Sequence, residues 1–294
     1  MRSRILLTVL VIITIGVCSP SRGEELTKEQ ALALWPIYLT TQSATVQWNG
    51  NVANGIPGRL SQATIDAILA RLNMARAMAG LNPVTNDVSL NPKCQAAALV
   101  LSANPTWTIS HTMPNTLKWW TKEAAEAAAK SCIDRNDEGP KAVQDFLRDW
   151  GMTSLNKYVG HRRWLLLPNL QTVGIGAVPQ SSSYPSSVVI WVKTLTNEER
   201  RAVAWPPAGF VPMAFVPERW SWSAAGADMR GALVWVDGLA VTVSKQATST
   251  PDSTIVWEPK LPFNVEDTTA VRIEGVLVNG VAQSINYEVK RFRP

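Results

Sequence analysis

The chain contains two histidines, His111 and His161, and both lie in short polar segments. His111 stands between Ser110 and Thr112, and His161 follows Gly160 at the start of a segment that becomes apolar. Near neutral pH an imidazole can act as an acid, a base, a hydrogen-bonding group or a metal ligand. Because neither histidine lies on an apolar stripe, we expect the two side chains to meet in a cleft.

The first residues, 1–23, are typical of an export signal. Two arginines precede an unbroken run of apolar and small residues over 5–17, which is too short to span a bilayer. Small residues at Ser21 and Gly23 suit a cleavage site. We therefore expect a mature chain that begins at Glu24 and is secreted, either extracellular or periplasmic.

The three cysteines leave two alternatives open. Cys18 offers lipid attachment in place of release, although Val17 is bulky where a small residue is expected before a lipidated cysteine. Cys94 and Cys132 remain in the mature chain, and an oxidising compartment permits a disulfide between them. Two buried free thiols are the alternative, because free cysteine is readily buried.

The charge balance gives no sign of a nucleic-acid partner. The chain has 28 lysines and arginines against 23 aspartates and glutamates, and three of the arginines fall within the export signal. The mature chain is therefore close to neutral, which is ordinary for a soluble protein. It also has no apolar run long enough for a transmembrane helix. We expect a small ligand or a cell-surface component as the partner.

The first part of the mature chain, 24–60, is predicted to be an irregular N-terminal wrap. Trp35-Pro36 and Ile56-Pro57-Gly58 are typical of turns. A short helix is expected within this wrap over 28–34. The wrap leads to Ser61, which is a good N-cap for the helix that follows.

Four helices are predicted between residues 61 and 150. Over 61–79 the apolar residues recur at steps of three and four, which is typical of an amphipathic helix, and Gly80 is its stop. Three further helical patterns follow over 91–102, 123–131 and 140–150. These helices are the elements that have to position His111 and His161.

After Pro168 the pattern changes to short β-branched segments. Strands are predicted over 172–178 and 187–194, so helices and a sheet together form an α+β domain over 61–200. A charged segment and a proline-rich segment then indicate a boundary, followed by an all-β module over 205–294 that resembles a β-sandwich of immunoglobulin-like size. Its strands are predicted over 219–223, 232–236, 239–244, 254–257, 270–278 and 283–292.

Several short motifs follow one another along the α+β domain. They are Leu72-Asn73 with Arg76 and Ala79-Gly80-Leu81, then Ser110-His111-Thr112, then Asp149 with Gly151 and Asn156, then the segment 159–166 with Pro168, and finally Val173-Gly174-Ile175-Gly176. In this order and spacing they resemble the bacterial secreted branch of the CAP superfamily, which comprises the SCP-like, cysteine-rich secretory, antigen 5 and pathogenesis-related proteins. The resemblance covers about 61–194. It implies a CAP-like α-β-α sandwich with a cleft open to solvent.

The resemblance also implies a site. Members of this family commonly place two histidines and two acidic residues in the cleft, and several bind zinc there. The histidines correspond to His111 and His161. The usual Gly-Glu-Asn segment for the first acid is absent, and Glu126 is the best match, with Glu123 next. Zn²⁺, or another divalent metal, is therefore the expected cofactor, since imidazole and carboxylate are suitable zinc ligands.

Four further residues are weaker candidates for the cleft. Asp145 and Asp149 precede the Gly-His-Arg segment and are the candidates for the second acid. Trp119 and Trp120 follow the first histidine and are candidates for its lining. The alternative for the histidines themselves is structural: one caps a helix and the other hydrogen-bonds the cleft wall.

A binding role is favoured over catalysis, because the family shares no single enzymatic activity. The chain also has no His-Glu-x-x-His or Gly-x-Ser-x-Gly motif. One alternative is a metal-assisted hydrolase of peptide or cell-wall material in which Glu126 is the base. Another is a surface-anchored carbohydrate-binding protein that uses Trp220 and Trp222, for which core packing is the simpler interpretation.

Overall fold

The computed structural model describes residues 25–151, 154–195, 201–246, 252–262 and 265–294. The predicted export signal over 1–23, including Cys18, lies outside the described residues. Among the described helices, none combines the length and the apolar character that crossing a membrane requires.

Helices dominate the first half of the described chain and strands the second. The helices are α1 (Lys28–Gln42), α2 (Gln62–Met78), α3 (Asn91–Ala103), α4 (Lys122–Lys130), α5 (Pro140–Arg148), α6 (Ser154–Lys157) and α7 (Gly160–Leu165). The strands are β1 (Thr85–Asn86), β2 (Ser131–Arg135), β3 (Leu170–Val178), β4 (Ser187–Leu195), β5 (Val203–Trp205), β6 (Gly209–Pro212), β7 (Trp220–Ala224), β8 (Ala227–Asp228), β9 (Leu233–Val236), β10 (Leu239–Val241), β11 (Val243–Gln246), β12 (Ser253–Trp257), β13 (Asp267–Val278) and β14 (Val281–Phe292).

The N-terminal helix is longer than predicted, and the turn expected at Pro36 is wrong. Helix α1 begins with a capping box at Thr27 and continues through Pro36. Beyond this proline the helix is held by α2: the buried Arg71 donates to the hydroxyl of Thr41 at 2.7 Å and to the carbonyl of Tyr38 at 3.0 Å. These tertiary contacts offset the hydrogen bond that a proline inside a helix removes.

The predicted helices α2 to α5 are confirmed to within two residues at each end. Ser61 caps α2 through its hydroxyl, and Gly80 follows the helix with a φ of 63°. Helix α5 ends at Arg148, because Asp149 adopts the left-handed conformation with a φ of 49°. This turn of the backbone places Asp149 beside the start of α7.

The predicted strand pair is also confirmed, within a four-stranded sheet of order β1-β3-β4-β2. Alternate residues of β4 contribute to different hydrophobic clusters: Ile190 belongs to the cluster that contains Phe146 of α5, and Val189 to the cluster that contains Ala97 of α3. Because side chains alternate along a strand, the two clusters lie on opposite faces of the sheet. Gly176 lets α3 approach closely, since a Cβ there would lie 2.3 Å from the carbonyl carbon of Cys94.

Strand β2 is absent from the prediction, in which the helix over 123–131 includes Ser131, the first residue of the strand. The alanine-rich sequence of α4 favours a helix up to that point. Residues 131–135 then pair with β4 in antiparallel register, from Ser131 opposite Trp191 to Arg135 opposite Ser187. These residues therefore form a strand because they pair with β4, which lies far along the chain.

The described residues of the C-terminal part are rich in strands, as predicted, and form two sheets. One has the order β10-β9-β13-β14-β6, with β8 beside β13, and the other has the order β11-β12-β7-β5. The single strand predicted over 239–244 is in fact two strands, β10 and β11, in different sheets. The predicted domain boundaries themselves stay a prediction.

One hydrophobic core runs across the predicted boundary near residue 205. It joins Phe146 and Leu165 of the helical part to Trp205, Trp220 and Trp222 of the β-rich part. Trp220 is fully buried, and Trp222 is 6% exposed. Core packing is therefore confirmed for this tryptophan pair, and neither ring is an exposed platform for a sugar.

Candidate functional site

The structure brings His111 and His161 together. Their ring centroids lie 6.4 Å apart, with an angle of 56° between the ring planes. His111 belongs to the loop between α3 and α4, and His161 lies in the first turn of α7. A loop and a short helix that are far apart in the chain thus present two imidazoles to one site.

His161 is oriented by Asp149. One carboxylate oxygen of Asp149 accepts the backbone N–H of His161 at 2.8 Å, and the other lies 3.1 Å from Nδ1 of its ring. The side-chain amide of Asn156 donates to the same carboxylate at 2.6 Å. The Asp149 side chain is fully buried, and that of His161 is 20% exposed. The ring is therefore held from one edge while part of it faces solvent.

The surroundings of His161 favour its charged form. Burial opposes the imidazolium, but the hydrogen bond and the negative charge of Asp149 outweigh it, and Asp134 and Asp145 add to the same effect. Together they raise the pKa of His161 above its usual value. Phe146, with its ring centroid 5.0 Å away, forms an apolar wall for the imidazole.

His111 is oriented by a backbone carbonyl. Its Nδ1 lies 2.8 Å from the carbonyl oxygen of Ala128. Because a carbonyl only accepts, Nδ1 carries the proton, and the lone pair of the neutral ring is on Nε2. The carboxylate of Asp149 imposes the same tautomer on His161. Metal-ligating histidines commonly have this second-nitrogen hydrogen bond to a carbonyl or a carboxylate.

Glu126, the expected first acidic ligand, is held elsewhere. Its carboxylate pairs with Lys93 at 2.7 Å and with Lys130 at 2.8 Å. Hydrogen bonds from Lys130 and Lys93 lower the pKa of Glu126 to about 2. Among the described residues, no group of three closely spaced metal-ligating side chains contains Glu126, and none contains His111 or His161. Glu123, the next match, is exposed in the first turn of α4.

Three aspartates form an acidic cluster near His161. Single oxygens of Asp134, Asp137 and Asp145 all lie within 4.8 Å of one another. Burial, followed by the charges of Asp137 and Asp145, raises the pKa of Asp134 to about 7, and burial also raises the pKa values of the other two. This closeness is unfavourable for three ionised carboxylates, so it favours a proton or a cation among them.

Of these three aspartates, Asp145 was predicted from the sequence as a candidate site residue, whereas Asp134 and Asp137 were not. The missing signal is strand β2. On this strand Asp134 lies two residues after Cys132, so the two side chains point to the same face. The thiol of Cys132 lies 3.7 Å from the carbonyl oxygen of His161, on that face. Without the strand, nothing in the sequence brings Asp134 towards the histidine.

The comparison with protein families concerns this same region. Residues 69–195 match the model of the cysteine-rich secretory protein family, CAP. This segment is a CAP domain. It begins inside α2, ends with β4, and contains His111, His161 and Asp149. No curated protein sequence matches the chain.

The tryptophan candidates of the CAP domain take part in its packing. The indole of Trp119 donates to the carbonyl of Val52 at 2.8 Å, and that of Trp120 donates to the carbonyl of Met113 at 3.2 Å. Trp120 also packs against the hydrophobic cluster around α3. Trp119 is 37% exposed, so it is the one of the two whose ring is more open to solvent.

The two cysteines of the CAP domain correspond to the second of the two alternatives left open by the sequence, which is a pair of buried free thiols. Cys94 and Cys132 are both free and buried. Cys94 lies on α3 against Gly174, whereas Cys132 faces the opposite side of the sheet towards His161. The sheet therefore separates the two sulfurs, because Cys94 belongs to the hydrophobic cluster on one face and Cys132 to the cluster on the other.

Proposed function

We propose that the protein is an exported binding protein of the bacterial secreted branch, and that its CAP domain holds a divalent metal ion or a small ligand at His111 and His161. Zinc is the metal we expect. The observation that carries this proposal is the pair of imidazoles, 6.4 Å apart, with each Nδ1 directed at an acceptor of the protein.

The residues of the site suit zinc in kind. The neutral rings carry their lone pairs on Nε2, which is a suitable zinc ligand. Two histidines alone bind a metal weakly, and carboxylates must supply the rest of the affinity. Asp134 and Asp145 contribute to the raised pKa of His161, so in this proposal they replace Glu126 as the acidic partners. Among the described residues, the group of ligating atoms within 4.8 Å of one another comprises Asp134, Asp137 and Asp145 without either histidine, so the proposal requires the aspartates and the imidazoles to approach each other around the ion. A bound divalent ion would act as a Lewis acid that polarises a ligand oxygen.

The placement of Glu126 supports binding over hydrolysis. The hydrolase alternative needs Glu126 as a general base, and an efficient base has a pKa near the working pH. A carboxylate with a pKa of about 2, held between two lysines, is a weak base at neutral pH. Hydrolysis would therefore lack an efficient base at Glu126, whereas binding does not require a base.

The remaining parts fit a protein that works outside the cytoplasm. Residues 1–23 have the pattern of an export signal. The two C-terminal sheets would form a module of immunoglobulin-like size that meets a cell-surface component. Because Trp220 and Trp222 are buried, this contact would use other residues than the tryptophan pair.

Zinc titration by calorimetry tests the metal site. We expect one zinc per mature chain, and at least about tenfold weaker binding for His111→Ala and for His161→Ala, because each removes a ligand. Glu126→Gln is the control and should bind like the wild type. Folding of each variant is checked by circular dichroism.

The same titration at several pH values separates histidine ligation from adventitious binding. A proton and a metal compete for Nε2, so zinc affinity should fall as the pH drops through the raised pKa of His161. Equal affinities for the wild type and both folded alanine variants would exclude zinc ligation by the histidines. Loss of zinc binding in Glu126→Gln would show that Glu126 is a ligand, as expected from the sequence.

A further inference from the structure

Arg219 connects the β-rich part of the chain to the segment that carries the histidine site. This residue directly precedes β7, is 6% exposed, and lies outside the segment 69–195 that matches the CAP family. Its Nη1 donates to the carbonyl of Gly151 at 2.6 Å and to that of Asn156 at 3.3 Å. A guanidinium from outside the CAP domain therefore joins two points of the chain between α5 and α7.

The guanidinium of Arg219 is itself held in place. Glu258, which directly follows β12, lies 3.1 Å from its Nε. The ring centroid of Trp150 lies 5.2 Å from the guanidinium. Because the planar donors of an arginine point in fixed directions, these contacts confine Arg219 to one geometry. It can therefore fix the carbonyls that it binds relative to β7.

Asn156 links this contact to the histidine. Its side-chain amide donates to Asp149 at 2.6 Å, and Asp149 in turn holds the backbone and the ring of His161. The surroundings of Asn156 are close-packed, since a Cβ at Gly151 would lie 3.1 Å from its Oδ1. A continuous path of contacts thus runs from Arg219 to the imidazole of His161.

Strand β7 also contacts the helix that carries His161. The hydroxyl of Ser221 accepts from Nη1 of Arg162, the residue after His161, at 3.0 Å. Nη2 of Arg162 donates to the carbonyl of Arg148, the last residue of α5, at 3.0 Å. The β-rich part therefore holds the end of α5, the turn after it and the start of α7.

We infer that Arg219 is a positioning residue of the histidine site. It holds the backbone of Gly151 and Asn156, and this keeps the carboxylate of Asp149 against the ring of His161. The β-rich part is then a component of the site as well as a neighbouring module. The inference rests on the proposed metal site for one of its two readouts, zinc affinity, whereas the other readout needs no metal.

Nitrogen NMR of the full mature chain without metal gives the first readout. At alkaline pH, where the imidazole is neutral, the ring nitrogen signals of His161 show which nitrogen carries the proton. We expect the proton on Nδ1 in the wild type, because the carboxylate of Asp149 only accepts. In Arg219→Ala a measurable share of the molecules should carry it on Nε2, because Asp149 is held less firmly.

Zinc titration by calorimetry gives the second readout. Removing a group that directly orients a metal-ligating histidine typically weakens metal binding about 10- to 100-fold. Arg219 acts through further residues, so we expect a smaller effect of Arg219→Ala, about five- to tenfold weaker binding. Arg219→Lys should bind more like the wild type, because its ammonium can still donate to the carbonyl of Gly151.

Arg201→Ala is the matched control. Arg201, which lies shortly before β5, also donates to two backbone carbonyls of the CAP domain, those of Ala79 and Gly80 after α2. This variant should leave both readouts unchanged. Asn156→Ala breaks the path nearer to the histidine, so adding Arg219→Ala to it should change the readouts little further.

Unchanged ring signals in folded Arg219→Ala would overturn the inference, and so would unchanged affinity where the wild type binds zinc. An equal effect of Arg201→Ala would also overturn it, because any loosening of the two parts would then suffice. If Arg219→Ala does not fold, Arg219→Gln, with a shorter and neutral side chain, takes its place with the same expectations. If the wild type binds no zinc, the proposed metal site fails, and the ring signals alone decide this inference.

Discussion

Asp149 holds His161 by its backbone and by its ring at the same time. One carboxylate oxygen accepts the backbone N–H at 2.8 Å, and the other lies 3.1 Å from Nδ1. This double contact requires the left-handed turn at Asp149 that ends α5. The start of α7 and the orientation of the imidazole are therefore set by a single buried side chain.

Asp149→Asn should lower the pKa of His161, because it removes the charge that favours the imidazolium. The pKa can be measured by NMR titration of the ring protons. An unchanged pKa would contradict the assignment of this contact.

The stability difference between wild type and Asp149→Asn should also depend on pH. The pKa of His161 is raised in the folded state, so its contribution is fully present below the unfolded value, near 6.5, and is lost as the pH rises through the raised pKa. Urea unfolding should show the larger difference at pH 5 and the smaller one at alkaline pH. His161→Gln in the same background should remove this pH dependence.

Asp134→Asn should stabilise the protein at pH 8 in the presence of a chelator. The folded-state pKa of Asp134 is raised to about 7, so ionisation of this carboxyl destabilises the folded wild type as the pH rises from about 4 to 7. The Asp134→Asn variant has no carboxyl to ionise and does not lose this stability. We expect a gain of about 1 kcal/mol, below the full value because the carboxyl is partly exposed. Asp66→Asn, on the exposed face of α2, is the control and should show no such gain.

Ser221→Ala should destabilise the protein by about 1–3 kcal/mol, because it removes an acceptor from a buried guanidinium. Arg162, next to His161, donates to the hydroxyl of Ser221 at 3.0 Å and is 1% exposed. Denaturant unfolding measures the change. Ser284→Ala, on the exposed part of β14, is the control and should stay within about 0.5 kcal/mol. Equal effects of the two variants would show that Arg162 does not depend on Ser221.

Cys94 and Cys132 should react with a thiol reagent only after unfolding. Burial raises the pKa of Cys94 to about 12 and that of Cys132 well above its usual value, so neither forms the reactive thiolate at neutral pH. Two thiols per mature chain should be counted in denaturant without a reductant. A count of none would show a disulfide and contradict the buried free thiols.

Local signals in the sequence were enough for the helices of the CAP domain. Apolar spacing and capping residues such as Ser61 act within a few residues, so α2 to α5 could be predicted closely. The rarity of histidine and the order of the motifs led to His111 and His161. These features depend on residue type and spacing alone, which the sequence states directly.

Contacts between distant residues decided the rest. Strand β2 exists because β4 pairs with it, and this pairing carries Asp134 to His161. Lys93, which lies on another helix, pairs with Glu126 and helps to keep this carboxylate from the role expected of it. In each case the partner is brought close by packing, and short-range patterns hold no information about which distant side chain that will be.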